Sequence, residues 1–274
     1  MKGRGAAGTV EIQTRRALRK DKKMVKAIMH GCSGKMGQVI TGLVAEDQEI
    51  EIVAGVDPYP REGAPYPVYE SLDACDVEAD VIIDFSNAAA VDELLAYSIR
   101  RQIPAVVCTT GLSEEQKTHI YAAAEQVGIV YSANMSLGIN LLMKLVREAA
   151  QVLADAGFDI EIVEKHHNQK VDAPSGTALA LADSINHALD DAYSYTYDRS
   201  QHRKKREKTE IGISAVRGGT IVGEHEVIFA GTDEVIEFNH RAYSKSIFGK
   251  GAVQAAKFLA GKPQGLYTMA DVIG

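Results

Sequence analysis

The chain has 274 residues, enough for one large domain or two ordinary ones, with 46% hydrophobic and 24% charged side chains. That is ordinary globular composition, able to bury a core without disulfides or metals, and the formal net charge of −7 makes the whole chain a poor ligand for nucleic-acid phosphates. No apolar run approaches the ~20 residues of a membrane-spanning helix, and three widely spaced cysteines, Cys32, Cys75 and Cys108, form neither a disulfide framework nor a zinc pattern and fit a reducing cytoplasm.

Residues 1–23 carry eight basic and two acidic side chains, a net +6 that leaves −13 for residues 24–274. The segment lacks the apolar core of a signal peptide and reads as a basic, disordered extension outside the fold. From Val25 to Met29 a buried strand is expected, then a glycine turn, then Met36, Val39, Ile40, Leu43 and Val44 at helical spacing. Ile50 to Val56, Val81 to Phe85, Ala105 to Cys108 and Ile129 to Tyr131 read as further strands, with helical patterns at Val91 to Arg101 and Ser113 to Val127. Strands alternating with helices imply a parallel sheet covered on both faces.

The second half changes character. A long helical pattern runs from Gly138 to Ala156, Asp159 to Glu164 alternates as a half-buried strand does, and Ala178 to Leu189 is helical. The polar stretch Asp190 to Lys208 reads as an exposed loop. Glu210 to Val216, Thr220 to Ala230 and Glu234 to Ala242 are strand candidates close enough in sequence to pair as an antiparallel or mixed sheet, and a last helix, Phe248 to Leu259, is expected to return to the first unit. The fold class is therefore α/β: a Rossmann-like parallel sheet with a second α+β domain on a mixed or antiparallel sheet. The division expected is 24–136 plus 246–274 for the dinucleotide-binding domain and 137–245 for the substrate-binding and oligomerisation domain.

Gly31-Cys32-Ser33-Gly34-Lys35-Met36-Gly37 follows the first strand and opens a helix. This G-x-x-G-x-x-G run varies the dinucleotide fingerprint: small residues let the backbone turn and approach a pyrophosphate, whose charge meets amide groups at the helix start. Glycines alone are weak evidence, since any strand-to-helix turn uses them. Asp57 ends the second strand 20 residues after Gly37, where an acid accepts hydrogen bonds from ribose hydroxyls. Pro58 follows without an adjacent cation for a 2′-phosphate, which favours NADH, although Lys35 or Arg61 would permit NADPH as well. The strand ends Asp84-Phe85-Ser86-Asn87 and Cys108-Thr109-Thr110-Gly111 lie where ligands bind in open parallel sheets; Ser86 and Thr110 serve equally as helix caps.

The least ordinary stretch runs from Glu164 to Thr177, containing His166, His167, Lys170 and Pro174-Ser175-Gly176-Thr177. Histidine moves protons near neutrality, lysine supplies a proton or pairs with a carboxylate, and the amides of Gly176 and Thr177 at a helix start suit a carboxylate. Hydride addition to a conjugated imine needs such proton carriers beside an anion cradle. A metal is not expected: adjacent histidines on an extended chain face opposite ways, and no second ligand cluster has convincing spacing.

These residues resemble the 4-hydroxy-tetrahydrodipicolinate reductase (dihydrodipicolinate reductase) family from Met24 to the C-terminus. The match includes Gly31 to Gly37, Asp84 to Ser86, Thr109-Thr110-Gly111, Ala133-Asn134-Met135-Ser136, Gly223-Glu224-His225-Glu226, His240-Arg241-Ala242 and, most specifically, His-His-x-x-Lys-x-Asp-Ala-Pro-Ser-Gly-Thr from His166. The resemblance implies catalytic roles for His166 and Lys170 and substrate-carboxylate binding by His167, Gly176 and Thr177. It implies cofactor contacts from Gly31, Cys32, Ser33, Gly34, Lys35, Met36, Asp57, Cys108, Thr109, Thr110, Ser132, Ala133, Asn134 and Met135. It also implies NADH or NADPH as cofactor, a small dicarboxylate substrate, a homotetramer, and a hinge that closes the site. Cys108 stands where the family usually has glycine, Pro58 departs from members with arginine beside the acid, and Lys245 is not carried over where some members have arginine.

Two other classes fit parts of the pattern. A semialdehyde dehydrogenase forming a thioester needs a nucleophilic cysteine in its second domain, and no cysteine follows Cys108. A non-enzymatic NAD sensor acting on nucleic acid is disfavoured by the acidic core and the lack of a DNA-reading motif.

Overall fold

The computed structural model describes residues 23–132, 134–197, 199–200 and 203–274. The basic segment 1–22 and Ala133, one of the expected cofactor contacts, lie outside the described residues. Seven strands form the first sheet: β1 (Val25–His30), β2 (Ile50–Val56), β3 (Val68–Tyr69), β4 (Val81–Asp84), β5 (Ala105–Val107), β6 (Gly128–Tyr131) and, from the C-terminal end, β12 (Gly265–Tyr267). Their order is β12-β6-β5-β4-β1-β2-β3, and every pairing is parallel.

β4 and β5 are buried at every position, as strands with both faces covered must be. One face packs α1 (Lys35–Ala45) and α6 (Ser246–Leu259) through Ile40, Val44, Ala252, Ala256 and Leu259. The other packs α2 (Val91–Arg101) and α3 (Glu114–Ala124) through Leu94, Leu95, Ile120 and Ala124. Chain order reverses between β1 and β4, which opens the crevice at their carboxyl ends where such sheets bind ligands.

The second sheet contains β7 (Asp159–His166), β8 (Ser194–Thr196), β9 (Glu210–Arg217), β10 (Gly223–Ala230) and β11 (Val235–Ala242) in the order β11-β10-β7-β9-β8. It is mixed: β7 runs parallel to β9 and antiparallel to β10. The three late strands do not pair in sequence order, because β7 lies between β9 and β10. One face carries Ile160, Ile162, Ile211, Ile213, Val227 and Phe229 against α4 (Leu137–Leu153) and α5 (Gly176–His187). Among the described residues no helix covers the opposite face, which presents Val163, Lys165, Glu224, Glu226 and Arg241.

The polar stretch 190–208 is not wholly a loop. It contains β8, paired parallel to β9, and two arginines that neutralise the acids at the sheet's end. Arg199 reaches Glu161 and Glu210, and Arg206 reaches Asp159 and Glu161. A three-residue edge strand among charged residues offers no periodicity to read.

Candidate active site

The glycine loop begins at Gly31, whose φ of +80° places it in the left-handed region. A Cβ there would stand 2.5 Å from the Phe85 carbonyl oxygen, so the turn closes only without a side chain. Gly37 is equally crowded by the backbone of Gly31 and Cys32. Asp57 fastens the loop to the second strand, accepting the Ser33 N–H at 3.0 Å and the Tyr59 N–H at 3.0 Å. Each carboxylate oxygen keeps one lone pair, enough for a ribose hydroxyl. The adjoining cavity of about 290 Å³ is lined by Gly31, Gly34, Asp57, Glu70, Ser86 and Glu93, among others. A glycine loop with open backbone at a helix start, and an acid beside a cavity of this size, fit the adenosine half of a dinucleotide.

The floor of that crevice is one buried carboxylate. Asp84, fully buried at the end of β4, accepts from His30 Nδ1 (2.9 Å), Ser86 Oγ (2.6 Å) and Thr109 Oγ1 (2.7 Å). It thereby ties together the ends of β1, β4 and β5. Burial opposes its charge, but His30, Ser86 and Thr109 outweigh burial and hold its pKa below the usual aspartate value. Thr109 is thus fixed in place, whereas Thr110 is exposed. Cys108 is buried and its thiol is pushed well above the ordinary value, by burial first and by Asp84 second. Cys32 is raised by the same first cause, and its sulfur packs towards Gly55 rather than into the cavity. Only the backbone of these cysteines is available to a ligand.

Asn134 joins this sheet to the second one. Its Nδ2 donates to Thr177 Oγ1 at 3.0 Å, its Oδ1 accepts the Ser136 N–H at 2.8 Å, and its carbonyl accepts from Asn140 Nδ2 and, more weakly, from Ser132 Oγ. Met135 is buried in the first core. Thr177 opens α5, whose cap Ser175 accepts the Ala178 N–H through Oγ. The N–H groups of Gly176 and Thr177 are the leading amides of that helix, oriented as an anion cradle requires.

His166 sits at the end of β7, buried, with Nδ1 2.6 Å from Glu164 Oε2. Glu164 also accepts the Ser175 N–H at 2.9 Å and a two-pronged grip from Arg217, Nη1 to Oε2 and Nη2 to Oε1, each 2.7 Å. Burial opposes the Glu164 charge, yet Arg217, His166 and the Ser175 amide outweigh it, leaving the carboxyl below its ordinary pKa. Beyond it His225 packs edge-on against His166, centroids 5.1 Å apart, with Nε2 3.0 Å from Ser175 Oγ. Burial first, then the neighbouring His166, push His225 down to about 4, so it is neutral near pH 7. Lys170 pairs with Asp172 at 2.8 Å, and the Asp172 carbonyl accepts from Arg217. His167 is half-buried with Nδ1 sealed and without a partner among the described residues.

His166 and the helix start at Gly176 and Thr177 therefore meet through Glu164 and Ser175, while Lys170 joins through Asp172 and Arg217. Glu164, Arg217 and His225 escaped assignment from sequence. Glu164 was legible in principle, since residues two apart on a strand share a face; Arg217 and His225 needed the strand order. Among the described residues no group of three or more His, Cys, Asp or Glu could hold a metal, and no helix is long and apolar enough to cross a membrane.

Residues 25–135 match the family model for the N-terminus of dihydrodipicolinate reductase, and residues 138–273 match that for its C-terminus. The chain belongs to the dihydrodipicolinate reductase family. It is 54% identical over 252 residues to the 4-hydroxy-tetrahydrodipicolinate reductase of Caldanaerobacter subterraneus subsp. tengcongensis, covering 91% of this chain and 98% of the relative. It is 50% identical to that of Clostridium novyi, covering 91% and 98%. A dipicolinate-bound dihydrodipicolinate reductase from Paenisporosarcina sp. superposes with a TM-score of 0.77 at 25% identity, over 92% of this chain and all of the other. The more distant GenD2 of gentamicin A biosynthesis, 14% identical with a TM-score of 0.58, shares the fold. The chain is thus an oxidoreductase with the two-sheet architecture of this family, and its first sheet is of the type that binds pyridine nucleotides.

Proposed function

We propose that this chain reduces 4-hydroxy-tetrahydrodipicolinate to tetrahydrodipicolinate, with loss of water, in lysine and diaminopimelate biosynthesis in the cytoplasm. The observation that carries the reading is a buried histidine, His166, joined through Glu164 and Ser175 to the leading amides of α5, in a chain of this family. The reaction consumes one proton and releases water, so the site needs a proton carrier beside a place for carboxylates. His166 and Lys170 carry protons; His167, Gly176 and Thr177 bind the substrate carboxylates.

The cofactor, when bound, supplies hydride from its nicotinamide. Gly31 to Met36 and Asp57 hold its adenosine and pyrophosphate half, while Cys108 to Thr110 and Ser132 to Met135 hold the nicotinamide half. We assign a preference for NADH. Asp57, Glu70 and Glu93 line the cavity, and a 2′-phosphate placed among three carboxylates meets like charge. Lys35 and Arg61, both exposed, are the cations that would allow some use of NADPH.

The working units are residues 24–136 with 246–274, which hold the nucleotide, and 137–245, which hold the substrate. The uncovered face of the second sheet, where Val163, Val216, Ile228 and Val235 lie among the ions of Lys165, Glu224 and Arg241, assembles the homotetramer.

The test is an assay coupled to the preceding synthase, with NADH and NADPH run in parallel. His166→Gln combined with Lys170→Ala is expected to leave NADH binding intact and abolish turnover. Wild-type turnover in that double variant would sink the assignment, and equal use of both nucleotides would remove the preference.

A further inference from the structure

The four hydrogen-bonding positions of the Glu164 carboxylate are all taken by donors: two from Arg217, one from the Ser175 amide and one from His166 Nδ1. An arginine and a backbone amide offer nothing but protons. The carboxyl is fully buried and ionised, so it holds no proton of its own to give to the imidazole. The 2.6 Å contact is therefore satisfied in one way, with the imidazole proton on Nδ1.

The opposite nitrogen is different. Among the described residues no hydrogen bond reaches His166 Nε2, and that atom is not sealed from solvent. It lies beside Gly223, where a Cβ would come within 3.1 Å of it. The charged and titratable groups around the ring are Glu164 on its own strand, Arg217 from β9, His225 from β10, and Lys170 with Asp172 from the following loop.

We propose that Glu164, clamped by Arg217, is a positioning residue that holds His166 in the Nδ1–H tautomer and leaves Nε2 as the nitrogen that exchanges a proton with the substrate. The inference rests on the reading of His166 as a proton carrier. Arg217 acts at one remove: its planar fork fixes the carboxylate plane, which in turn fixes the ring. A lysine would supply charge but not that plane.

The test separates positioning from folding and from the role of His166. Glu164→Leu with Arg217→Met removes both charges of the pair together, which avoids stranding the buried one. The full-length double variant is expected to stay folded with a thermal unfolding midpoint a few degrees lower, since the buried Ser175 amide loses its acceptor, to keep its NADH affinity, and to lose kcat by about 10- to 100-fold with KM for the substrate changed less than threefold. Glu164→Gln with Arg217→Met restores a neutral acceptor and is expected to recover part of that loss. In a His166→Gln background the Leu/Met pair is expected to lower kcat less than threefold further, because its main effect passes through the imidazole and only the Ser175 amide contact remains to be lost.

Long-range 1H–15N spectra of histidine-labelled protein, with His166 assigned by its absence in His166→Gln, are expected to show the Nδ1–H form in the wild type and a redistribution in the Leu/Met variant. Wild-type kcat in the folded Leu/Met variant, or an Nε2–H tautomer in the wild type, would overturn the proposal. If His166→Gln keeps full activity while the tautomer is as expected, the proton-carrier reading fails and the positioning geometry stands.

Discussion

Gly223 offers a direct measure of how closely the His166 ring is held. A Cβ added there would stand 3.1 Å from Nε2 and 3.4 Å from Cδ2, against the ~3.5–4.0 Å of comfortable contact. In Gly223→Ala the ring must withdraw by roughly 0.5 Å, or the start of β10 must give way. The ring has little freedom, because its far side is tied to Glu164 at 2.6 Å. Gly223 is not among the residues with positive φ, so alanine brings no backbone strain and the cost falls on the contact. Bending a hydrogen bond to a charged group forfeits part of its ~1.5–3 kcal/mol, so a stability loss of about 1 kcal/mol is expected. The effect on turnover should be larger. Misplacing a reacting group by a fraction of an ångström, with a methyl beside Nε2, is expected to lower kcat ~10- to 100-fold, or about 1.4–2.7 kcal/mol of barrier. The assay is loss of NADH absorbance with substrate generated in place, alongside NADH affinity by fluorescence titration. Unchanged kcat in a folded Gly223→Ala protein would refute the claim that Nε2 works at this spot.

Three further outcomes are expected. Asp84→Asn should destabilise the protein by ~1–3 kcal/mol, because an amide offers one acceptor oxygen where His30, Ser86 and Thr109 now find two, and should weaken NADH binding; the native pKa of Asp84 is depressed, so the stability it contributes is present above the ordinary aspartate range and lost as pH falls through the native value, and urea midpoints of wild type and variant should converge in acid. His225, lowered to about 4 chiefly by burial, stays neutral in the native state while the unfolded chain takes up a proton below its ordinary pKa of 6.5. Stability should therefore fall as pH drops from about 6.5 to about 4, by on the order of 3 kcal/mol in all, and His225→Gln should flatten that part of a stability-against-pH curve. Ile228→Glu on the uncovered sheet face should shift the oligomer towards smaller species in sedimentation while leaving the secondary structure unchanged; a homogeneous tetramer would place the interface elsewhere.

The sequence made the first sheet legible because β1, β2, β4 and β6 are apolar runs long enough to stand out between amphipathic helices. β5 was also legible, as the apolar run Ala105–Val107; β3, β8 and β12 were not, since each has two or three residues without such an apolar run, and their pairing is decided by neighbours distant in the chain. The same reason hid the order of the second sheet: nothing local to β9 or β10 states that β7 will come between them. In the site, His166 and Lys170 stood out by type, and the Gly176 and Thr177 amides by their place at a helix start. Arg217 did not, because its partner Glu164 is 53 residues away and only the parallel pairing of β7 with β9 brings the two together.

One close contact in the first core has a consequence for how this architecture is put together. Gly251 of α6 presses directly on the Met135 carbonyl, leaving no room for a Cβ. The chain thus leaves the first sheet at Met135 and, after the whole second sheet, passes the same point again. Everything between the two passages is spliced into the frame of the first sheet as an insertion whose entrance and exit touch. The crossing is not the insert's only hold, since Leu137 of α4 packs on the first core and Lys144 donates to the Gly274 carbonyl, so the two sheets are set against each other from both sides of the joint.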